Sequence, residues 1–364
     1  LVLWVLLLTI SYYGGDNIFL SVAGARKIEK KDLPMLHNVV EEMTIASGLG
    51  KMPDVYVIDD PAPNAFATGR DPDHSAVAVT SGLLTMCTRD ELQGVMAHEI
   101  GHIRNRDTLL MLMAGVMVGS IVILADVGVR AMWLTGGGRS KSRRRSSGGS
   151  GGSAQLIIVV VALGLMILGP IVAQFIYYAI SRRREYLADA SSASFTRYPE
   201  GLASALEKLA ASPKKLRRAT RATSPLYIIN PLKRAGLKAA DLSSTHPPIS
   251  ERARILRSMG GASMADYDKA CGRVRGRAVL PASAAAGAKP LSKRAPERKE
   301  AARERAREVN DFFWRLSSYL FLACACGTVL KIPPGFKEER IRCPHCGVVH
   351  GKQEFGSEAP PRGE

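Results

Sequence analysis

Two long apolar runs divide the chain and predict its overall organisation. Residues 108–134 and 154–180 are each longer than the roughly 20 residues that a helix needs to cross a bilayer. The stretch between them is rich in Gly, Ser and Arg, so it cannot bury a core and predicts a mobile loop over residues 135–153. The pattern therefore predicts a transmembrane hairpin over residues 108–180, whose two flanks return to the same side of the membrane.

Two charged residues interrupt the first apolar run. Asp126 and Arg130 are one helical turn apart, so they can pair with each other. The alternative is that they lie near the far membrane interface.

A third apolar run occupies the N-terminus. Residues 1–10 are almost wholly apolar and lead into Tyr12 and Tyr13, an aromatic pair typical of a membrane interface. The run begins without Met or a basic segment, which argues against a signal peptide. We interpret residues 1–20 as the last part of a transmembrane helix, with a short buried helix as the alternative.

Shorter patterns on the polar flanks of the hairpin predict a small domain that contains both helices and strands. Residues 32–48 have the apolar period of an amphipathic helix. Alternating apolar residues predict strands over residues 53–58, 64–69 and 75–80. Thr88 is a suitable N-cap for a further helix, which continues without a stop signal into the first apolar run. The predicted fold class is a mainly α membrane protein with a small antiparallel β-sheet.

The charge of the chain indicates an anionic partner. The 364 residues have a formal net charge of +17, and basic residues lie beside the apolar helices. Lipid headgroups are favoured over nucleic acid, because the basic and aromatic residues do not interleave as in single-strand binders. Basic residues on the two sides of the hairpin nearly balance. Four more after the first span favour a cytoplasmic location for its flanks: Arg26, Lys27, Lys30 and Lys31.

The strongest chemical signal is HEIGH at residues 98–102. Residues four apart share one face of a helix, so His98 and His102 can bind one metal ion. Glu99 projects about 100° round the helix from His98, which places it beside a metal-bound water rather than on the metal. Zinc lowers the pKa of such a water to roughly 7, and Glu99 can pass its proton to the leaving amine. The short motif also occurs on ordinary helices, so a third ligand is needed.

Glu185 and Asp189 follow the second apolar run and are candidates to complete the site. A catalytic zinc site has three protein ligands and one open position. The hairpin returns Glu185 to the level of His102, so Glu185 can bind the metal, while Asp189 can accept the second N–H of a ligating imidazole. The alternative is that both carboxylates only form salt bridges with residues 182–184.

Four separated segments resemble those of HtpX-type membrane metallopeptidases, relatives of the CAAX prenyl protease within the gluzincin group. They occur in the family's order: PNAFATG at 63–69, residues 98–107, REYLAD at 184–189 and STHPP at 244–248. The resemblance covers roughly residues 1–258. It implies a gluzincin-type peptidase domain, residues 21–107 and 181–260, interrupted by the hairpin. Family members usually carry two N-terminal spans, of which only part of one is present here.

The resemblance also implies roles for individual residues. The zinc ligands would be His98, His102 and Glu185, with Glu99 as general base and Asp189 orienting a ligand. Asn64 and Ala65 would lie on an edge strand that pairs with the substrate backbone. His246 would stabilise the tetrahedral oxyanion, although a His before two prolines could equally cap a structural turn.

The C-terminal tract adds a second candidate metal site. Residues 281–310 predict a linker and a helix, and the tract after Pro281 has no counterpart in the short family members. Paired cysteines, each pair followed by Gly, predict a zinc ribbon over residues 311–351 with the ligands Cys324, Cys326, Cys343 and Cys346. The first pair is one residue short of the usual spacing, so His345 or His350 could replace a thiolate. Thiolate ligands require a reducing compartment, which again favours a cytoplasmic location.

The sequence therefore predicts a zinc endopeptidase of the cell inner membrane, with one catalytic and one structural zinc ion. By the resemblance it would cleave membrane or misfolded proteins. The alternative is an inactive membrane adaptor that recruits a partner through its ribbon. Prenyl-protein processing would need a chamber lined by more helices than this chain provides. The oligomeric state is not predicted.

Overall fold

A computed structural model describes residues 2–136, 151–214, 216–217, 227–228, 246–285, 288–296 and 302–354. The predicted mobile loop lies outside these residues except at its two ends, and so do residues 244–245. The helices, in chain order, are α1 (Val2–Ala23), α2 (Pro34–Ser47), α3 (Ser81–Met86), α4 (Arg89–Arg104), α5 (Asp107–Gly136), α6 (Gly151–Thr196), α7 (Pro199–Ala211), α8 (Ile249–Arg257), α9 (Met264–Arg275), α10 (Ala282–Ala285) and α11 (Ala302–Leu316).

A four-stranded sheet lies in the N-terminal half. Its strands are β1 (Ala25–Lys27), β2 (Asp54–Ile58), β3 (Ala65–Asp71) and β4 (His74–Thr80), in the spatial order β1–β2–β4–β3. Two pairs are antiparallel, but β2 and β4 are parallel, with Val55 opposite Val77. The prediction of an antiparallel sheet is therefore wrong for this pair. The chain after β2 passes over one strand position, and the β3–β4 hairpin then places β4 in the gap.

The sheet separates two apolar clusters, because alternate strand residues point to opposite faces. Val77 and Val79 join the main core with residues of α2, α4, α6 and α7. Phe66 and Ala78 point to the other face and pack against Phe19 and its neighbours in α1. The sheet therefore fixes β3 beside the helices that carry the candidate metal ligands.

α4 and α5 are separate helices, so the prediction of one uninterrupted helix is wrong. α4 ends at Arg104, and Arg106 has a left-handed φ of 53°. A non-glycine residue in this conformation costs about 1–2 kcal/mol. The turn brings Asp107, the first residue of α5, back towards α4, where its carboxylate makes the contacts described below.

α5 and α6 run antiparallel to each other. Arg184 of α6 contacts Asp107 at the start of α5, while Gly169 faces Ile121 further along. Within the described residues, no helix combines the length and apolar character needed to span a membrane. The transmembrane hairpin and the N-terminal span stay predictions. Arg130 Nε lies 2.8 Å from Asp126 Oδ2, so these two residues pair as expected.

The C-terminal tract contacts the peptidase domain before it forms the ribbon. Arg294 donates to Asp90 and Gln93 at the start of α4, and Val309 and Phe312 of α11 are buried in the main core. The ribbon then consists of two antiparallel hairpins, which contain the strands β5 (Leu320–Ala323), β6 (Val329–Ile332), β7 (Arg340–Arg342) and β8 (Val349–Gly351). The predicted boundary between linker and ribbon falls within α11.

Candidate metal centre

α4 carries the HEIGH segment through the middle of the core. It begins with a reciprocal capping box between Thr88 and Glu91. Gly101 faces α6, and a Cβ added there would lie 3.1 Å from Ser191 Cβ. The small residue lets the two helices approach closely, which brings Glu185 of α6 towards both imidazoles of α4.

Three side chains converge on one point. His98 Nε2 lies 3.2 Å from His102 Nε2 and 3.7 Å from Glu185 Oε2, and His102 Nε2 lies 3.6 Å from Glu185 Oε1. All three residues offer ligand atoms within 4.8 Å of one another. Two imidazole nitrogens and a carboxylate oxygen form the donor set of a catalytic zinc site.

His98 is fixed from behind by Asp189. Its Nδ1 lies 3.0 Å from Asp189 Oδ1, and both side chains are fully buried. Burial lowers the pKa of His98 to about 4, so the imidazole is neutral, as a metal ligand must be. Because Nδ1–H donates to Asp189, the lone pair lies on Nε2 and points at the convergence point. The orienting role of Asp189 stays a prediction, and it requires a contact of this kind.

Arg252 of α8 neutralises the two buried carboxylates. Its Nε and Nη2 donate to Asp189 at 2.9 and 2.6 Å, and its Nη1 lies 2.9 Å from Glu185 Oε2. Burial alone would raise the pKa of Glu185, but its contacts with His246 and Arg252 outweigh this and hold the pKa well below the ordinary value. Glu185 is therefore ionised. The alternative considered salt bridges from both carboxylates to residues 182–184; the ion pairs seen here join them to Arg252, while Arg184 pairs with Asp107.

His102 has a carboxylate partner of its own. Its Nδ1 lies 2.7 Å from Asp107 Oδ2, and Arg184 forms an ion pair with the other oxygen of Asp107. With both Nδ1 atoms directed at carboxylates, the two Nε2 atoms face each other as acceptors. Two acceptors at this separation repel, so a cation between them fits the arrangement.

Glu99 lies beside the convergence point without belonging to the ligand group. Its side chain is buried, and its Oε1 accepts no hydrogen bond within the described structure. Burial raises the pKa of Glu99 to about 7, and a hydrogen bond from the Ala67 backbone partly opposes this shift. A carboxylate with a pKa near neutrality can both take up and release a proton at physiological pH.

His246 also reaches the centre. Its Nδ1 lies 3.2 Å from Glu185 Oε1, and its side chain is 9% exposed. The side chain therefore lies against the ligand group. It does not belong to the three-residue group whose ligand atoms converge.

The predicted substrate strand is β3, at the edge of the sheet. Asn64 precedes it and accepts a hydrogen bond from the Ala65 amide through Oδ1. The carbonyl of Ala65 accepts a hydrogen bond of 3.0 Å from the amide of Ile228. The backbone of Ala67 points at Glu99, so this edge runs past the convergence point.

The four C-terminal cysteines form a second cluster, with ligand atoms within 4.8 Å of one another. Cys324 Sγ lies 3.4 Å from Cys346 Sγ, and Cys326 Sγ lies 3.7 Å from Cys343 Sγ. These separations are longer than a disulfide bond, and all four are free thiols. Neither His345 nor His350, the possible replacement ligands, belongs to this cluster.

Sequence reasoning missed three residues of the centre: Arg252, Asp107 and Arg184. Arg252 had a readable signal, because it shares a helical face with Ile249 and Leu256 and so lies where an apolar residue is expected. No sequence signal pointed to Asp107, because its approach to His102 depends on the left-handed conformation of Arg106.

The chain is similar to several known proteins. Residues 30–260 match the model of peptidase family M48. The "Protease HtpX homolog" of Dictyoglomus thermophilum is 46% identical over 263 residues, which are 71% of this chain and 82% of the relative. That of Caldanaerobacter subterraneus is 46% identical over 69% of this chain and 80% of the relative. The crystal structure of S. mikatae Ste24p aligns with a TM-score of 0.44 at 22% identity, over 70% of this chain and 56% of that one.

A helix-borne HExxH segment completed by a glutamate from a second helix defines a metallopeptidase. The chain belongs to peptidase family M48, and it is a metalloprotease of the HtpX type.

Proposed function

We propose that the chain is a membrane-bound zinc endopeptidase whose zinc ligands are His98, His102 and Glu185. The observation that carries this proposal is the convergence of two imidazole Nε2 atoms and one carboxylate, with the Glu99 carboxylate beside them. Bound zinc would polarise the scissile carbonyl and acidify a water molecule there.

The protein residues divide the remaining chemistry. Glu99 removes a proton from the attacking water as the water oxygen bonds to the carbonyl carbon, which gives a tetrahedral adduct. The adduct then collapses: Glu99 delivers the proton to the leaving nitrogen as the C–N bond breaks. The His246 ring stabilises the negative charge that develops on the carbonyl oxygen. Asp189 and Arg252 hold His98 and Glu185 in place throughout.

Substrate would bind as an added strand along β3, where Asn64 and Ala65 lie. This edge passes Glu99, so a paired peptide would bring its backbone to the catalytic carboxylate. A peptide that uses the Ala65 carbonyl must displace the amide of Ile228, which is bonded to it at 3.0 Å.

The test is a Glu99→Gln variant of the zinc-loaded full-length protein, assayed with casein as an unfolded substrate. General acid–base catalysis contributes roughly 10²- to 10⁴-fold, so hydrolysis should fall by at least that lower bound while zinc content stays at the wild-type level. Glu207→Gln is the matched control, because Glu207 is an exposed glutamate that pairs with Arg257. Wild-type casein hydrolysis by Glu99→Gln would refute the mechanism and favour the inactive-adaptor alternative.

We also propose that the four cysteines bind a second, structural zinc ion. Four cysteine sulfurs within 4.8 Å of one another, and a small core that includes Cys324 and Cys343, support this assignment. The core of the ribbon contains few large apolar residues, so a metal ion would supply much of its stability.

The membrane location rests on the exposed faces of α5 and α6. Large apolar side chains are exposed on both helices, at positions 113, 117, 121, 122, 123 and 127 of α5 and 168, 171, 172, 175 and 176 of α6. Water-exposed apolar surface of this extent is unusual, and lipid would cover it. We infer a multi-pass inner-membrane protein with its catalytic face in the cytoplasm. After alkaline carbonate extraction the protein should stay with the membranes, and its release would contradict the inference.

Membrane or misfolded proteins are the proposed substrates, because the catalytic centre lies at the base of the α5–α6 pair and the proposed substrate contact is backbone pairing along β3. Backbone pairing places few demands on sequence, so an unfolded chain of any sequence satisfies it. Cleavage of casein but not of a stably folded globular protein would agree with this proposal, and equal cleavage of both would contradict it.

A further inference from the structure

Asp107 is a buried carboxylate placed by a strained turn. It begins α5 directly after Arg106, whose φ is 53°, and its side chain is 6% exposed. Its Oδ2 lies 2.7 Å from Nδ1 of His102, whose other ring nitrogen faces Glu185. A left-handed non-glycine residue is unfavourable by itself, so the contact that it permits must offset the strain.

Arg184 links this contact to the second ligand-bearing helix. Its guanidinium forms an ion pair with Asp107 and donates to the carbonyl of Asn105 at 2.9 Å. Arg184 also immediately precedes Glu185 in α6. Contacts therefore join His102 to Asp107 and Asp107 to Arg184, and the backbone of α6 joins Arg184 to Glu185, which faces His102 again.

The same order of groups occurs behind the other imidazole, where His98 contacts Asp189 and Asp189 contacts Arg252. That arrangement is fully buried, with Arg252 and Asp189 at 0% exposure. Arg184, in contrast, is 20% exposed and lies where α5 and α6 begin to run alongside each other. Of the two arrangements, the one behind His102 contains a contact between α5 and α6, from Asp107 to Arg184, whereas the one behind His98 joins α4, α6 and α8. The arrangement behind His102 therefore depends on the separation of α5 and α6.

We propose that Asp107 and Arg184 are positioning residues that fix the His102 ring for zinc and make zinc affinity depend on the spacing of α5 and α6. The inference rests on the proposed zinc site. Asp107 keeps the proton of His102 on Nδ1 and the lone pair on Nε2, and Arg184 keeps Asp107 from rotating to water. Separation of the helix bases breaks the Arg184 contacts and frees the ring.

The test measures zinc retention in the full-length protein in detergent, challenged with increasing EDTA. Loss of an outer partner of a ligand weakens metal binding by roughly 10- to 100-fold, so Asp107→Ala and Arg184→Met should each shift retention by that amount. Asp107→Asn preserves the side-chain size and one hydrogen-bond acceptor, so its zinc retention should lie between that of wild type and that of Asp107→Ala. The four-cysteine zinc is an internal control, because its release should be unchanged. Asp126→Asn is a second control, since it removes another aspartate of α5 that pairs with an arginine.

Two further readouts separate positioning from a merely structural role. Thermal unfolding of the metal-free Asp107→Asn variant should stay within a few degrees of wild type. The Asp107→Ala/Arg184→Met double variant should lose no more zinc affinity than Asp107→Ala alone, because Arg184 acts through Asp107. The proposal would be overturned if zinc retention were unchanged in the single variants, or if the losses of zinc affinity in the double variant were fully additive. It would also be overturned if the losses of zinc affinity simply followed the drop in the unfolding temperature of the metal-free variants. A wild-type protein without zinc outside the ribbon would instead refute the zinc site itself.

Discussion

Arg252 is the residue whose loss should damage the centre most without removing a ligand. Its guanidinium makes two hydrogen bonds to Asp189 and one ion pair to Glu185, and all three side chains are almost completely buried. Arg252→Met removes the guanidinium that both buried carboxylates contact. Removing one partner of a buried ion pair costs about 3–5 kcal/mol. Arg252→Lys keeps the charge but loses the planar fork, so we expect a loss of about 2 kcal/mol.

The assay is urea unfolding of the metal-free full-length protein in detergent, followed by far-UV circular dichroism. Arg257→Met is the matched control, because Arg257 lies on the same helix and also contacts two carboxylates, Glu200 and Glu207, but is 44% exposed. Exposed pairs contribute about 1 kcal/mol or less. If Arg252→Met cost no more than Arg257→Met, the claim that the guanidinium neutralises the centre would be refuted.

Three further predictions concern the surroundings of the site. Burial alone would raise the pKa of Glu91, but hydrogen bonds from Lys208, Ser204 and the Thr88 amide outweigh it and lower the pKa below its ordinary value of 4.5. The ionised Glu91 carboxylate therefore stabilises the fold above that pH, and this stabilisation is lost as the pH falls and the carboxylate is protonated. Glu91→Gln should lower the free energy of unfolding in urea by about 1–3 kcal/mol at pH 7 and by less near pH 3. An equal difference at both pH values would contradict this. Gly94→Ala places a Cβ 2.6 Å from the Leu202 amide nitrogen and should lower the unfolding temperature, whereas Gly272→Ala, with nothing within 4 Å, should raise it slightly; the reverse order would count against the packing argument. Cys326→Ser/Cys346→Ser should make the ribbon sensitive to trypsin while casein hydrolysis persists, and a ribbon that stays resistant would show that zinc does not stabilise it.

The local parts of the site were predictable because they depend on short-range rules. The capping box at Thr88 and Glu91 fixes the start of α4, and the four-residue spacing of the histidines places both rings on one face. The apolar hairpin pattern was enough to bring Glu185 and Asp189 back to these rings, although the sequence says nothing about the distances.

The parts that were not predictable depend on tertiary contacts. The left-handed turn at Arg106 has no glycine to announce it, so the break between α4 and α5 and the approach of Asp107 could not be foreseen. The parallel pairing of β2 with β4 follows from where the β3–β4 hairpin docks, which alternation within single strands does not encode. The burial of Arg252, in contrast, could have been predicted, since the other residues on its face of α8 are apolar.

The zinc content of matched variants tests the central claim most directly. The account predicts two zinc ions per chain in wild type, one in Glu185→Ala/His98→Ala, one in Cys326→Ser/Cys346→Ser, and none when all four substitutions are combined. Casein hydrolysis should be lost only where the histidine and glutamate ligands are changed. Wild-type zinc content in the Glu185→Ala/His98→Ala variant, or proteolysis that survives those changes, would contradict it.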